Sequence, residues 1–223
     1  MPDAIMLFAA GFGTRMGALT KDTPKPLIQV AGKPLLDHAL DLTTTISTRV
    51  VNAHYHADQI KAHLKPIDVQ ISVEMPEVLD TGGGLRAALP FLGTDPVFTL
   101  NTDAVWAGPN PLELLEAGWN PEIMDALLLC VPLGNAVGRK GGGDFDLTAQ
   151  GTLIRKGDLV YTGAQIVKTD LLADIPETAF SLNVLWNRMA KQNRLHGLTY
   201  SGKWCDVGHP AGIQMAQDML AYV

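Results

Sequence analysis

The sequence predicts an α/β protein built around a mostly parallel sheet that is flanked by helices. Between Ala4 and Pro132, short apolar runs alternate with segments of helical periodicity, as in β-α-β units joined by right-handed crossovers. The run at residues 126–131 is apolar throughout, which is typical of a strand buried on both faces of a sheet. Hydrophobic residues make up 47% of the 223 residues, which is enough for a sizeable core.

The strands predicted in this first part are short apolar runs, some with a period of two. They cover residues 4–8, 49–53, 69–73, 97–100 and 126–131. The helices are predicted from apolar residues three and four positions apart, over residues 34–42, 58–64, 85–92 and 112–117. In this interpretation Pro34 is the first helical residue, Asp58 caps or opens its helix, and Gly82, Gly83 and Gly84 form a loop before the third helix.

The chain after Pro132 is richer in glycine and in strands. A hairpin is predicted over residues 145–154, then strands at 159–166, 196–200 and 204–206, and helices at 182–189 and 210–222. We expect this part to fold onto the first as a β-rich lid. The interpretation is a single domain over residues 1–223, with one half at 1–131 and the other at 132–223.

Composition argues against several classes of protein. The formal net charge of −6 disfavours a nucleic-acid binder, whose surface would be basic. The N-terminus lacks the basic segment of a signal peptide, and no apolar stretch is long enough to cross a bilayer, so we expect a cytoplasmic protein without nucleic-acid or membrane partners. Cys130 and Cys205 belong to no Cys-x-x-Cys pair, and we expect two reduced, buried thiols.

The first predicted strand runs into a glycine-rich loop that ends at Arg15, and Lys25 follows between two prolines. Because Gly11 and Gly13 let backbone N–H groups approach a ligand, and successive N–H groups form a nest for an anion, the loop predicts a polyphosphate site. A simple turn is the alternative. Met16 replaces the third glycine of the dinucleotide fingerprint, which disfavours a dehydrogenase, and no Gly-Lys-Ser/Thr completes a P-loop.

Ligands of open parallel sheets bind beyond the carboxyl ends of the strands, where four features fall: residues 11–15, 52–54, 80–84 and Asp103. The glycines of 80–84 predict backbone amides facing a ligand, or only a permissive loop. Asp103 is either a ligand-binding group or a turn former. Asp206 lies in a predicted strand, where a buried carboxylate needs a partner. Two carboxylates beside a polyphosphate suggest Mg²⁺, although the sequence leaves open whether they meet.

Four motifs together resemble the sugar-1-phosphate nucleotidyltransferases. They are residues 9–16 (AAGFGTRM), 23–27 (TPKPL), 30–35 (VAGKPL) and 204–208 (WCDVG). The resemblance runs from the first strand to the last helix and implies a Rossmann-like, nucleotide-diphospho-sugar transferase fold with a β-rich sugar-binding lid. Within the family, residues 80–84 and 143–145 most resemble members that join UTP to N-acetylmuramate 1-phosphate.

The resemblance also implies a set of site residues and a reaction. The catalytic set is Arg15, Lys25, Asp103 and Asp206, with Asp103 and Asp206 holding Mg²⁺. The implied nucleotide-binding residues are Ala9, Ala10, Gly11, Phe12, Gly13, Thr14, Arg15, Lys25, Asn52, Asp80, Thr81, Gly82 and Gly83. The implied sugar-binding residues are Asn101, Asp144, Thr162, Gly163 and Asn183. A monomer or homodimer would transfer a nucleotidyl group from a nucleoside triphosphate to a sugar 1-phosphate and release pyrophosphate.

Two positions depart from the pattern of the family. Thr102 stands where glycine is usual, and we expect its β-branched side chain to re-aim Asp103. His209 stands where threonine or serine is usual, and we expect it to donate a hydrogen bond near the site. The alternative functions are a nucleotide-sugar-binding regulatory protein without catalysis, and a transferase that uses dTTP, CTP, GTP or another sugar phosphate.

Overall fold

The computed structural model describes residues 1–93 and 96–222. Within these ranges the strands, in chain order, are β1 (Ala4–Phe8), β2 (Gln29–Val30), β3 (Lys33–Pro34), β4 (Thr48–Ala53), β5 (Gln70–Val73), β6 (Val97–Asn101), β7 (Ala104–Ala107), β8 (Ala126–Pro132), β9 (Ala136–Val137), β10 (Phe145–Leu147), β11 (Leu153–Arg155), β12 (Leu159–Val167), β13 (Leu195–Thr199) and β14 (Lys203–Asp206).

The α-helices in the same ranges are α1 (Leu35–Asp41), α2 (Ala57–Leu64), α3 (Asp80–Leu92), α4 (Pro111–Gly118), α5 (Leu182–Lys191) and α6 (Pro210–Ala221). Short 3-10 helices cover Thr14–Thr20, Lys25–Leu27, Leu133–Asn135 and Asp170–Leu172. None of the helices in the described part of the chain has the length and apolar character needed to span a membrane.

The central sheet is mixed but mostly parallel, as the sequence predicted. Strands β5, β4, β1 and β6 lie side by side and are parallel. Next to β6, strand β12 runs antiparallel, and it also pairs with β8, which is followed by the parallel strand β13. The predicted hairpin is confirmed as β10 and β11, which extend the sheet from the start of β12.

Helices cover both faces of this sheet because its strands are apolar on both sides. In β1, Ile5 and Leu7 lie in one core while Ala4 and Met6 lie in the other, following the alternation of side chains along a strand. Helices α1, α2 and α4 pack on the first core, and α3 and α5 on the second. The continuous apolar runs in the sequence therefore reflect burial on two sides.

A second sheet, β7-β14-β9, stands beside the first, and of its three strands only β14 was predicted. Only two residues separate β7 from β6, too few for sequence patterns to distinguish the two strands. Val105 and Cys205 of this sheet share a third core with Met219 of α6. Both cysteines are buried and unpaired, which confirms the prediction for them.

Two predicted helix starts were wrong. Pro34 belongs to β3 and lies just before α1. Asp58, by contrast, lies in the first turn of α2, which begins one residue earlier, so it opens this helix as predicted but does not cap it. Helix α3 begins at Asp80, so the glycines at 82–84 are helical and do not form a loop. Helix propensity disfavours glycine, but the fold requires it here, because a Cβ at Gly83 would lie 2.5 Å from the carbonyl oxygen of Thr178.

Candidate active site

Three strand ends and the start of α3 are tied together by a buried polar chain. The backbone N–H of Ala9 donates to Asn52 Oδ1 at 2.6 Å, and Asn52 Nδ2 donates to Glu74 Oε1 at 2.6 Å. Glu74 Oε2 accepts from the N–H of Leu79 at 2.7 Å. Glu74 is 2% exposed. Its hydrogen bonds to Asn52 and Leu79 hold Ala9, where the glycine-rich loop begins, in a fixed position relative to α3. Sequence reasoning missed Glu74, although a carboxylate directly after a strand was a usable signal.

Lys25 and Asp103 form a close ion pair at the end of β6. Lys25 Nζ lies 2.7 Å from Asp103 Oδ2, and Lys25 is 8% exposed. Just before Asp103, the hydroxyl of Thr102 donates to the carbonyl oxygen of Phe8 at 2.7 Å. Thr102 therefore ties β6 to the end of β1 while Asp103 points to Lys25.

The structure brings Asp103 and Asp206 together through the second sheet. Asp206 pairs with Ala104 in the register of β14 on β7, and the N–H of Val207 donates to the carbonyl oxygen of Asp103 at 2.9 Å. Burial raises the pKa of Asp206, and the negative charge of Asp103 raises it further, while Lys25, Arg15 and Arg139 oppose the shift. Two carboxylates that repel each other in this way favour a bound cation.

Arg15 reaches the same point from the glycine-rich loop. A Cβ built on Gly208 would lie 3.0 Å from Arg15 Nη1 and 2.9 Å from Asp206 Oδ1. Glycine at 208 therefore leaves room for the arginine beside the carboxylate. His209, the next residue, lies with its Nε2 at 3.4 Å from the carbonyl oxygen of Gly138.

A cleft of two joined pockets surrounds these charges. The loop-side pocket, of about 310 Å³, is bounded by the glycine-rich loop, Lys25, Asn52, Glu74 and the start of α3. The predicted nucleotide-binding residues that line it are Ala9, Ala10, Gly11, Gly13, Thr14, Arg15, Lys25, Asn52, Asp80 and Thr81. The other three lie elsewhere: Phe12 packs edge-on against His54, with ring centroids 5.5 Å apart, and the N–H groups of Gly82 and Gly83 donate to the carbonyl oxygen of Phe180.

The hairpin-side pocket, of about 360 Å³, lies between β6, the β10–β11 hairpin and the start of α5. Asn101, Asp144 and Asn183, three of the predicted sugar-binding residues, line it. The carboxylate of Asp144 is already engaged, since Oδ1 accepts from Arg139 Nη2 at 2.7 Å and Oδ2 from the N–H of Tyr161 at 3.0 Å.

The other two predicted sugar-binding residues, Thr162 and Gly163, do not line the pocket but lie in β12 beside it. The buried hydroxyl of Thr162 donates to the carbonyl oxygen of Leu129 at 2.7 Å. Gly163 has a φ of 87°, and a Cβ there would lie 2.6 Å from Asn101 Cβ. Glycine at position 163 therefore allows Asn101 to lie close to β12.

Sequence reasoning missed two arginines of the hairpin-side pocket. Arg139 and Arg155 both line the pocket. Trp186 also lines it and packs edge-on against Tyr161, with ring centroids 4.9 Å apart. The indole N–H of Trp186 donates to Gln165 Oε1 at 2.9 Å, which fixes the ring.

The residues present fit a divalent cation of the Mg²⁺ type. No group of three or more metal-ligating side chains occurs among residues 1–93 and 96–222. A pair of carboxylates suffices for Mg²⁺ when substrate phosphates and water complete its shell. Asp103 and Asp206 supply such a pair.

Known proteins similar to this chain decide its family. The family model described as the MobA-like NTP transferase domain matches residues 5–132. The chain is 41% identical to an N-acetylmuramate alpha-1-phosphate uridylyltransferase of Caulobacter vibrioides, an alignment that covers 99% of this chain and 98% of the relative. The chain belongs to the sugar-1-phosphate nucleotidyltransferases. The family that the four motifs predicted is thereby confirmed, and this nucleotidyltransferase is an enzyme.

Two further comparisons agree with this assignment. A protein of the same description from Neisseria meningitidis serogroup B is 33% identical to the nucleotidyltransferase, over 95% of this chain and 96% of the relative. A solved structure of UDP-glucose pyrophosphorylase complexed with UDP-glucose superposes with a TM-score of 0.76 at 17% identity, covering 100% of this chain and 99% of the other. At that identity the second likeness concerns the fold, which is the predicted one.

Proposed function

We propose that this nucleotidyltransferase transfers the uridylyl group of UTP to N-acetylmuramate 1-phosphate and releases pyrophosphate in a Mg²⁺-dependent reaction. Two relatives that are 41% and 33% identical to this chain, over at least 95% of its length, are named for uridylyl transfer to this sugar phosphate. The observation that carries the proposal is the placement of Asp103, Asp206, Lys25 and Arg15 together along the cleft.

The proposed reaction is an in-line displacement at phosphorus. A phosphate oxygen of the sugar 1-phosphate attacks the α-phosphorus of UTP and forms a new P–O bond. The bond from that phosphorus to the β-phosphate oxygen breaks, and its electron pair leaves with pyrophosphate. Because no covalent enzyme intermediate is needed, the chain contributes positioning and stabilisation of charge.

The residues around the ion pair suit these tasks. Lys25, held on Asp103, would bridge the attacking phosphate and the α-phosphate. Arg15 stabilises the charge that grows on pyrophosphate, because its planar fork matches phosphate oxygens. Asp103 and Asp206 would hold Mg²⁺, which would supply positive charge against the repulsion between two anionic substrates.

We assign the nucleotide to the loop-side pocket and the sugar to the hairpin-side pocket. The first has backbone N–H groups of a glycine-rich loop, and the second has polar groups over the ring of Trp186. We also propose a single domain with a nucleotide-binding half at 1–131 and a sugar-binding half at 132–223, with Asn101 of the first half contributing to the hairpin-side pocket. The cytoplasmic location and the monomeric or homodimeric state remain predictions.

The test is a panel of nucleoside triphosphates and sugar 1-phosphates assayed for pyrophosphate release with Mg²⁺ and with EDTA. We expect release with UTP and N-acetylmuramate 1-phosphate, and none with EDTA. Faster release with dTTP, CTP or GTP, or with another sugar phosphate, would replace the proposed substrates. Tight binding of UTP without release under any pairing would indicate the regulatory alternative.

A further inference from the structure

Arg155 is a solvent-exposed cation at the wall of the hairpin-side pocket. It ends β11, and its guanidinium carbon lies 4.8 Å from the ring centroid of Phe145 and 5.7 Å from that of Trp186. Its Nη2 donates to Asn187 Oδ1 at 3.0 Å. Stacking and one amide contact therefore hold the guanidinium in place, and the rest of its N–H groups keep their donor capacity.

The charge of Arg155 is not matched by any group that it contacts. Lys25 is paired with Asp103, and Arg139 with Asp144, each at 2.7 Å. Within the described ranges, the contacts of Arg155 are two aromatic rings and an amide, and none of them is anionic. Burial lowers the pKa of Arg155, and the more distant charge of Asp144 opposes this shift. An anionic group of a bound ligand would balance the positive charge of Arg155.

Lys25 and Arg155 lie in different pockets of the cleft. Asp103 follows β6, and two strands, β12 and β10, lie between β6 and β11 in the sheet. Lys25 lines the loop-side pocket and Arg155 the hairpin-side pocket, while Arg15 lines both. A ligand that fills both pockets therefore meets positive charge at two separate points.

We propose that Arg155 selects sugar 1-phosphates that carry a carboxylate, by binding that carboxylate at the hairpin wall. This inference rests on the proposed function and extends it to the choice of sugar. N-acetylmuramate differs from N-acetylglucosamine by an ether-linked side chain with a carboxylate. The guanidinium fork matches the two oxygens of a carboxylate, which a neutral donor at the same place would bind more weakly.

The test uses N-acetylmuramate 1-phosphate and N-acetylglucosamine 1-phosphate as a matched pair of ligands. Binding of each to the wild type, Arg155→Gln, Arg155→Lys and Arg188→Gln is measured by calorimetry, and kcat/KM with UTP and Mg²⁺ is measured in parallel. We expect Arg155→Gln to lose about tenfold or more in affinity and kcat/KM for the carboxylated sugar only. Arg155→Lys retains part of that preference, and Arg188→Gln, on the far side of α5 from this pocket lining, retains all of it.

The outcomes separate this inference from the proposed function. Equal losses with both sugars, or no loss with either, would overturn the carboxylate role while pyrophosphate release still supported the transferase. Absence of pyrophosphate release by the wild type would overturn the proposed function, and the calorimetric preference would still decide the role of Arg155. A wild type that binds both sugar phosphates equally well would overturn the inference by itself.

Discussion

Asp103 differs from the other aspartates of the chain because it is held by Lys25 while it faces Asp206. We expect Asp103→Asn to abolish Mg²⁺-dependent pyrophosphate release, since an amide cannot supply the anionic oxygen that Mg²⁺ prefers. The circular dichroism spectrum should stay unchanged. Asp68→Asn, at an exposed site outside both pockets, is the matched control and should keep full activity. Activity of Asp103→Asn near that of the wild type would remove Asp103 from the metal site.

Lys25 is buried beside the glycine-rich loop, where its ammonium group has little freedom. Lys25→Ala should lower kcat by ~10²-fold or more, because misplaced reacting groups are costly in a reaction that depends on positioning. Steady-state pyrophosphate release measures the loss, and Lys61→Ala, at an exposed position of helix α2, is the control. A loss of only a few-fold would mean that Lys25 serves the fold and not the reaction.

Thr102 shows what the sequence alone could not decide about a single residue. Its β-branched side chain suggested that Asp103 is re-aimed, but the hydroxyl bonds to Phe8 and the aspartate meets Lys25. The meeting of Asp103 and Asp206 was likewise open, because it depends on the pairing of β7 with β14. Residue types suggested the chemistry, while long-range strand pairing determined which side chains are neighbours.

At the scale of elements, the start of α3 shows why glycine was misinterpreted. Three glycines in succession usually indicate a loop, but here Gly82 and Gly83 admit the chain at 178–180 against the helix, and Gly84 admits Glu74. Gly82→Ala would place a methyl group on the ring of Phe180. Although alanine favours the helix, we expect a net loss of about 1–2 kcal/mol in the free energy of unfolding, measured by urea denaturation.

Gly134→Ala is the matched control for that change, since a Cβ there meets nothing within 4 Å. It should alter the free energy of unfolding by less than about 0.5 kcal/mol. If the Gly82→Ala protein were as stable as the control, residues 178–180 could move away from α3 at little cost in free energy.

Asp125 joins three strands of the central sheet at one end. It precedes β8, and its carboxylate lies 3.0 Å from Lys168 Nζ, after β12, and 2.8 Å from Arg194 Nε, before β13. Burial opposes ionisation of Asp125, but the hydrogen bonds and charges of Arg194 and Lys168 outweigh it and lower the pKa. The group therefore stabilises the fold above its ordinary pKa, and this stability is lost as the pH falls through the lowered value.

Asp125→Asn should reduce the free energy of unfolding by about 1–2 kcal/mol at pH 7, as expected for loss of charged hydrogen bonds. The difference from the wild type should shrink as the pH falls from the ordinary pKa of aspartate through the lowered value. The unfolded wild type takes up its proton first, and the folded carboxylate becomes neutral only at the lowered pKa. Urea denaturation over a pH series measures this, with Asp68→Asn as the control. A difference that is constant with pH would contradict the ionic origin of the stabilisation.

At the scale of the whole molecule, the sequence predicted the order of strands and helices well because each has a local pattern. The mostly parallel sheet follows from the alternation of those elements, and both strands of the hairpin were visible in the sequence. The residues that line the cleft were harder to predict from the sequence. Arg139 and Arg155 lie in segments without a recognisable motif, and only the fold of the hairpin over α5 brings Arg155 to the wall of the pocket.

The joined pockets lead to a prediction about how ligands protect the molecule. Hydrogen exchange measured by mass spectrometry should slow on addition of UTP and Mg²⁺ at residues 10–15 and 80–81, which line the loop-side pocket. The product UDP-N-acetylmuramate should extend this protection to residues 144–145, 155 and 181–183 of the hairpin-side pocket. Helix α4 lines neither pocket and serves as the internal control.

The size of the effect follows from mass action. A ligand at 100 times its Kd stabilises the bound form by about 2.7 kcal/mol, so exchange that requires the free form should slow by about 100-fold. Because the proposed assignment puts UTP in the loop-side pocket alone, the hairpin should exchange at the unliganded rate until the sugar is present. Protection of the hairpin by UTP alone, with the glycine-rich loop unprotected, would reverse the assignment of nucleotide and sugar to the two pockets.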